Sequence, residues 1–187
     1  MVVSEQVSDE TYRRIALSDG DRVWELHDGQ LVEKPGMSWE HSGVLTLLSY
    51  HLVDQLDWDD YRVIIDEGRV RRSPENYFVP DLVVVPAAYG ALFADKPGTL
   101  PVYPDPLPLV VEAWSRSTGG YDVATKLPHY RERGDQEIWF LHPYERTLTA
   151  WVRRADGSYE ETIHRSGVVR TAFLPGVAIR LEDVFRR

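Results

Sequence analysis

The stretch Leu107-Pro108-Leu109-Val110-Val111-Glu112-Ala113 holds an almost continuous apolar run with one acid near its end. A second run, Leu82-Val83-Val84-Val85, is preceded by Pro80-Asp81, so that an acid stands at its beginning. Strands that read as continuously apolar, without alternation, are typical of sheets that are covered on both faces. The two stretches therefore predict two buried strands, each with a carboxylate at one end.

The two acids indicate a metal site if their strands are neighbours. A carboxylate in apolar surroundings is costly unless it is paired or bound to a cation. Two carboxylates that meet repel each other, and Mg²⁺ resolves that repulsion because it prefers a few carboxylate oxygens together with water and phosphate oxygens. Such a pair is what metal-assisted phosphodiester cleavage requires. Taken singly, Asp81 is more simply explained as a strand cap, and Glu112 as a surface residue at a strand end.

The rest of the chain predicts helices and strands around these two strands. Ser38 to Leu56 predicts the longest helix, because its apolar residues recur at three- and four-residue spacing. Ser8 predicts the start of an earlier helix, and Tyr61 to Val70 predicts a strand rich in Val and Ile. Asp28-Gly29 and Asp156-Gly157 each lie between strand-like runs and predict hairpins. The order of elements is that of an α/β or α+β domain with a mixed sheet.

Length and charge limit the possible functions. The 187 residues correspond to about one domain, so a single domain over residues 1–187 is expected. The net charge of −9 argues against indiscriminate binding to nucleic acid, which depends on Lys and Arg that neutralise phosphates. Two local clusters are basic nevertheless, Arg69-Val70-Arg71-Arg72 and Arg131-Glu132-Arg133. Each cluster is either a phosphate-binding patch or ordinary solvated surface.

Several classes of protein have no signal in this sequence. There is no Cys, so disulfides and thiolate metal sites are excluded. No apolar run approaches the roughly 20 residues of a membrane helix, and Met1 to Glu10 lacks the features of a signal peptide, so a cytoplasmic protein without membrane contact is expected. No zinc-type histidine spacing, serine-hydrolase elbow or phosphate-cradling glycine loop is found.

The ordered set of motifs resembles the PD-(D/E)XK nuclease superfamily. More narrowly, it is similar to the restriction-endonuclease-like branch that was long described as a domain of unknown function. The resemblance covers nearly the whole chain, and the segments that carry it are Glu25 to Gly29, His41, Pro80-Asp81, Val110 to Thr118, Asp122, Lys126, Tyr130, Gly134 to Trp139 and Leu174-Pro175-Gly176.

The resemblance implies a restriction-endonuclease-like mixed sheet flanked by helices, with a hairpin near each end of the chain. It implies a metal-dependent endonuclease acting on DNA, with Mg²⁺ or Mn²⁺ as cofactor. Asp81, Glu112 and the backbone carbonyl of Ala113 would bind the metal. Lys126 would orient or activate the attacking water, or stabilise the developing charge.

The sequence departs from the superfamily pattern at the lysine. In the plain motif the lysine stands two residues after the second acid, on the same face of the strand, and this position is Trp114 here. Lys126, on the following helix, is the expected substitute. Pro128 lies two residues later, and proline is tolerated in a first helical turn but not deeper in a helix. The helix is therefore expected to begin near Thr125 rather than near Tyr121.

Further residues are expected to support the site. His41 and Glu25 either approach the metal or serve packing, and Glu40 opens the same helix as His41. Asp122 stands four residues before Lys126 and is expected to form a helical ion pair that positions it. The remaining supporting candidates are Tyr130, which would share the face of Lys126 or pack in the core, Trp114, which should face the site, and Ser115, which would contact a phosphate or cap the next helix.

Two other functions stay open at this point. The first is a catalytically inactive nucleic-acid-binding or regulatory module on the same fold, which the acidic charge and the missing in-motif lysine favour. The second is an interaction protein that pairs as a homodimer. The joint presence of Asp81, Glu112 and Lys126 favours the nuclease, because an inactive site has no physical need for buried acids.

Overall fold

A computed structural model describes residues 6–115 and 122–186, with 122 and 123 described by their backbone alone. Its helices are α1 (Asp9–Ser18), α2 (Trp39–Gln55), α3 (Gly90–Phe93), α4 (Leu127–Arg133) and α5 (Leu181–Val184), with a 3₁₀ turn at Ala87–Tyr89 and a π-helical turn at Asp122–Lys126. Its strands are β1 (Trp24–His27), β2 (Gln30–Glu33), β3 (Tyr61–Ile65), β4 (Arg69–Ser73), β5 (Asn76–Phe78), β6 (Leu82–Pro86), β7 (Val102–Tyr103), β8 (Leu109–Ala113), β9 (Glu137–His142), β10 (Thr147–Arg153), β11 (Tyr159–His164), β12 (Val168–Arg170) and β13 (Ala178–Arg180).

The central sheet contains six strands in the order β11-β10-β9-β8-β6-β3. β8 and β9 run parallel, and the other neighbours run antiparallel. A second sheet has the order β2-β1-β5-β4-β7, and β12 pairs with β13. The expected mixed sheet with flanking helices is therefore confirmed. None of the described helices is both long enough and apolar enough to cross a membrane.

The two apolar stretches do form buried neighbouring strands, β6 and β8. Their residues alternate between the two faces of the sheet, so that Leu82 and Val111 face one core and Val83 and Val110 face the other. Helix α2 covers the first face with Val44, Leu45, Leu48 and Leu52, where each buried leucine contributes about 1.5–3 kcal/mol. Its N-terminus is fixed by Ser38, whose hydroxyl accepts the His41 N–H at 3.3 Å.

Both hairpins were correctly predicted. Asp28 and Gly29 join β1 to β2 with φ values of 47° and 78°, the conformation that two-residue hairpin turns require and that Asp-Gly adopts readily. The second hairpin joins β10 to β11 through a turn that contains Gly157 at φ 85°. Helix α1 begins after Ser8 as expected, because the Ser8 hydroxyl accepts the Thr11 N–H.

One predicted element is wrong. The strand expected over Tyr61 to Val70 is divided into β3 and β4, which belong to different sheets. The chain bends at Asp66, which has φ 54°, and at Gly68, where a Cβ would stand 2.5 Å from a methyl group of Val83. Gly68 is therefore required for this close approach. The division matters for function, because it turns Asp66 toward the start of β6, where its N–H donates to the Asp81 carbonyl at 3.1 Å.

Candidate active site

Strand register brings the two predicted acids together. β6 and β8 pair through Leu82 with Val111 and Val83 with Val110, and the same antiparallel register continued by one residue sets Asp81 opposite Glu112. Opposite residues on antiparallel strands share a face, with Cβ atoms about 5 Å apart. Both carboxylates are at least 97% buried. The pairing on which the metal hypothesis depends is thus a direct consequence of strand order.

Asp81 is held by three groups. One of its oxygens, Oδ1, lies 2.8 Å from the Lys34 ammonium, and the other, Oδ2, lies 2.9 Å from Nε2 of His41 and accepts the Ala113 N–H at 2.7 Å. Burial alone would raise the pKa of Asp81, but the positive charge of Lys34 and the hydrogen bond to His41 outweigh it. The pKa therefore lies well below its usual range, and the carboxyl is ionised.

Glu112 is held from the opposite side by Lys126 and Tyr130. The Lys126 ammonium lies 3.3 Å from Oε1 of Glu112, and the Tyr130 hydroxyl donates to the same oxygen at 2.5 Å. The π-helical turn ends at Lys126 and α4 begins at Leu127, so Pro128 stands in the first turn of the α-helix, where it is tolerated. Pro128 therefore does not interrupt the helix, and Lys126 keeps its contact with Glu112.

Glu25 is a third buried carboxylate in contact with the site. Its Oε1 lies 3.1 Å from the Lys126 ammonium and accepts the Val79 N–H at 2.8 Å, while Oε2 lies 2.9 Å from Nε2 of His27. Burial opposes ionisation, but Lys126 and His27 lower the pKa of Glu25 to about 2. Lys126 is therefore fixed between Glu25 and Glu112.

Lys34 belongs to the site although sequence reasoning missed it. It lies directly after β2, where its N–H donates to the Val23 carbonyl, and its ammonium bridges Oδ1 of Asp81 and Oδ1 of Asp66, the latter at 2.7 Å. Burial would lower the pKa of Lys34, but Asp81 and Glu112 raise it above its ordinary value. The predicted hairpin did contain a signal for Lys34. Glu25 pairs with Val32, and Lys34 stands two residues after Val32, so Lys34 lies on the same face of the hairpin as Glu25.

The remaining candidates lie in different surroundings, and only some of them are near the two acids. His41 is buried, and among the described residues its Nδ1 has no hydrogen-bond partner. Glu40 is exposed and accepts the Tyr144 hydroxyl, away from the two acids. Trp114 stacks on His142 with ring centroids 4.5 Å apart, and it lines a cavity of about 170 Å³ that Glu112 also lines.

Two candidates lie at the end of the described segments. Ser115 is half-buried just beyond β8. The backbone of Asp122 lies in the π-helical turn, but its side chain falls outside the described part of the structure, and so the expected ion pair with Lys126 stays a prediction.

The donor set fits a divalent cation of the Mg²⁺ type. Among the described residues no cage of three or more Asp, Glu or His side chains is ready for a metal. Mg²⁺ does not need one, because it usually takes one or two carboxylates and completes its shell with water and phosphate. The described side chains that meet here are four carboxylates (Glu25, Asp66, Asp81 and Glu112) and two lysines, Lys34 and Lys126.

Comparison with known proteins gives one family and one fold. The family model described as "Uma2: Putative restriction endonuclease" matches residues 9–182. The solved structures that match include the crystal structure, at 1.96 Å resolution, of a putative nuclease belonging to DUF820 from Anabaena variabilis ATCC 29413. It is 15% identical to this chain with a TM-score of 0.76, and the match covers 96% of this chain and 97% of that one. At this identity the likeness shows the fold alone. None of the curated proteins matches the chain.

Proposed function

Because this chain belongs to the Uma2 family of restriction-endonuclease-like proteins, we propose that it is a metal-dependent endonuclease that hydrolyses DNA phosphodiester bonds. The observation that carries the proposal is the pair Asp81 and Glu112, two buried acids that neighbouring strands bring to one face. A buried carboxylate needs a paired cation, and each acid of this pair contacts a lysine, Lys34 or Lys126. A divalent ion with open positions for water and phosphate would bind both carboxylates at once, which neither lysine does in the described part of the chain.

In this proposal Asp81, Glu112 and the Ala113 carbonyl hold Mg²⁺ or Mn²⁺. The metal, when bound, polarises the phosphate and lowers the pKa of the attacking water. His41 fixes one oxygen of Asp81 through its Nε2, and Tyr130 fixes Glu112 through its hydroxyl. Each carboxylate is therefore oriented before the substrate arrives, which a well-ordered centre requires.

Lys126 replaces the lysine that the motif lacks. Its ammonium lies against Glu112, and Glu25 limits its movement from the other side. From this position it orients the attacking water and stabilises the charge that develops on the phosphate. The family pattern places the lysine on the strand, whereas this chain supplies it from the turn before α4, so that Trp114 is left to stack on His142.

One arginine of each predicted basic cluster is a poor candidate for DNA contact. Arg69 is 97% buried and pairs with Glu67, and the Arg133 guanidinium donates to the carbonyls of Arg71, Tyr103 and Asp105. These arginines make contacts within the folded chain and are not available to DNA. Arg72 and Arg131 are exposed, so DNA binding by this acidic protein would depend on them together with the metal and the lysines of the site.

Two alternatives keep specific support. A binding module without catalysis is favoured by the net charge of −9 and by Trp114 at the motif position. A homodimeric interaction protein is favoured by Trp39, which is 90% exposed at the start of α2 and lines a surface cavity.

The proposed function is tested by incubating supercoiled plasmid with the protein in Mg²⁺, in Mn²⁺ and in EDTA. Nicked and linear products are expected with either metal and not with EDTA. If neither supercoiled plasmid nor single-stranded DNA is cleaved with either metal, the nuclease is rejected. A metal-independent gel shift of the same DNA would then support the binding module, and its absence the interaction protein.

A further inference from the structure

The Lys34 ammonium lies on the more exposed side of the carboxylate cluster. Its side chain is 9% exposed, against 4% for both Asp81 and Lys126 and 3% for Glu112. Its second partner, Asp66, is 26% exposed and marks the outer edge of the cluster. Of the two lysines that contact these acids, Lys34 is therefore the one nearer to the exposed side.

Lys34 also retains hydrogen-bonding capacity. An ammonium has three N–H donors and no acceptor. Among the described residues two acceptors contact it, Oδ1 of Asp81 at 2.8 Å and Oδ1 of Asp66 at 2.7 Å. A third donor is therefore available for an oxygen that this part of the chain does not provide.

The position of Lys34 is fixed by its surroundings. Asp66 adopts a left-handed conformation with φ 54°, which is uncommon for a residue other than glycine, and its N–H donates to the Asp81 carbonyl. The backbone N–H of Lys34 is bound by Val23 across the β1–β2 hairpin. The ammonium is thus supported from two sheets and would stay beside Asp81 when a metal replaces it as the main partner of that carboxylate.

We propose that Lys34 is a substrate-contacting residue, which donates to a nonbridging oxygen of the phosphate group bound next to Asp81. The inference rests on the proposed nuclease function and divides the work of the two lysines. Lys126, fixed between Glu25 and Glu112, acts on the Glu112 side. Lys34, fixed between Asp66 and Asp81, contacts the phosphate on the opposite side.

The test measures DNA binding without cleavage. Ca²⁺ binds the same kinds of carboxylate and phosphate oxygens as Mg²⁺, and it replaces Mg²⁺ in the assay. A denaturing gel verifies that the duplex is not cleaved. Fluorescence anisotropy of a labelled DNA duplex gives Kd over a series of salt concentrations for wild type, Lys34→Gln, Lys34→Arg and Lys96→Gln. Lys96 is exposed after α3, donates to the Leu92 carbonyl, and serves as the charge-matched control. Thermal unfolding establishes that each variant is folded.

The expected result is specific to a phosphate contact. Loss of a charge-assisted hydrogen bond in Lys34→Gln raises Kd about tenfold. Loss of one neutralised phosphate also lowers the slope of log K against log salt by about 0.9. Lys34→Arg keeps most of the affinity and the slope, and Lys96→Gln changes neither. A structural role for Lys34 would change the melting temperature but not the slope.

Three results would overturn the inference. An unchanged slope in a folded Lys34→Gln variant would overturn the phosphate contact and leave the nuclease intact. Equal slope changes in Lys34→Gln and Lys96→Gln would assign the effect to net charge. If wild type does not bind the duplex with Ca²⁺ and does not nick plasmid with Mg²⁺, the proposed function and this inference fail together. If the Gln variant does not fold, Kd of Asp66→Asn against that of the exposed control Asp54→Asn decides. Asp66→Asn weakens a partner that competes for the Lys34 ammonium, so a phosphate contact predicts a lower Kd for Asp66→Asn than for Asp54→Asn, and equal Kd values would overturn the inference.

Discussion

Asp81→Asn is expected to slow metal-dependent nicking of supercoiled DNA about a thousandfold. The substitution keeps the size of the side chain but removes the negative charge that would hold the metal. A bound metal contributes several kcal/mol to stabilising the transition state, and each ~1.4 kcal/mol changes the rate about tenfold. The rate is measured from the disappearance of supercoiled plasmid with Mg²⁺ in excess.

The matched control for this substitution is Asp54→Asn. Asp54 is an exposed acid on α2, so its replacement changes the net charge equally without touching the site. It should nick at the wild-type rate. A folded Asp81→Asn variant that also nicks at the wild-type rate would contradict the assignment of Asp81 to the metal.

Lys126→Met is expected to lower the free energy of unfolding by about 3–5 kcal/mol. Lys126 is 97% buried between Glu25 and Glu112, and removal of one partner leaves buried charges without compensation. Methionine fills a similar volume, so that the loss reflects charge rather than a cavity. Urea denaturation in the presence of EDTA measures the effect without any contribution from a bound metal.

The double variant Lys126→Met with Glu25→Gln separates charge from packing. Because Glu25→Gln removes one of the uncompensated carboxylates, the double variant should be more stable than Lys126→Met alone. A Lys126→Met variant as stable as wild type would show that Lys126 is solvated in solution and does not form the pair of contacts described here.

The sequence predicts the elements that hold the two acids better than it predicts the surroundings of those acids. β6 and β8 are continuously apolar, and this local property marks them directly. That they are neighbours, with Asp81 opposite Glu112, depends on strand order, which no local pattern contains. The family resemblance supplied this link, and the structure confirms the fold that it implied.

Of the second sheet only the β1–β2 hairpin was predicted, because the other strands are short and their signals weak. β4 reads as Arg-Val-Arg-Arg-Ser and β5 has three residues, so neither shows a strand period over enough length. The bend at Asp66 and Gly68 was not predicted for the same reason. Lys34 was missed for this reason, since its partners Asp66 and Asp81 come together only when both sheets are in place.

Lys126 illustrates the reverse case. Sequence reasoning proposed it in spite of Pro128, because the family that the chain resembles generally supplies this lysine from the helix after the second acid. The structure places its ammonium against Glu112 and gives the physical reason: a π-helical turn precedes α4, so the proline falls in the first α-helical turn. Its catalytic role stays a proposal.

Calorimetric titration of the metal-free protein with Mn²⁺ tests most directly whether Asp81 and Glu112 form a metal centre. Wild type is expected to bind the ion, and both Asp81→Asn and Glu112→Gln are expected to lose that binding while they remain folded. Asp54→Asn should bind as wild type does. If wild type gives no heat of binding at any Mn²⁺ concentration, or if both acid variants bind with wild-type affinity, the two carboxylates do not hold a catalytic metal and the nuclease account is contradicted.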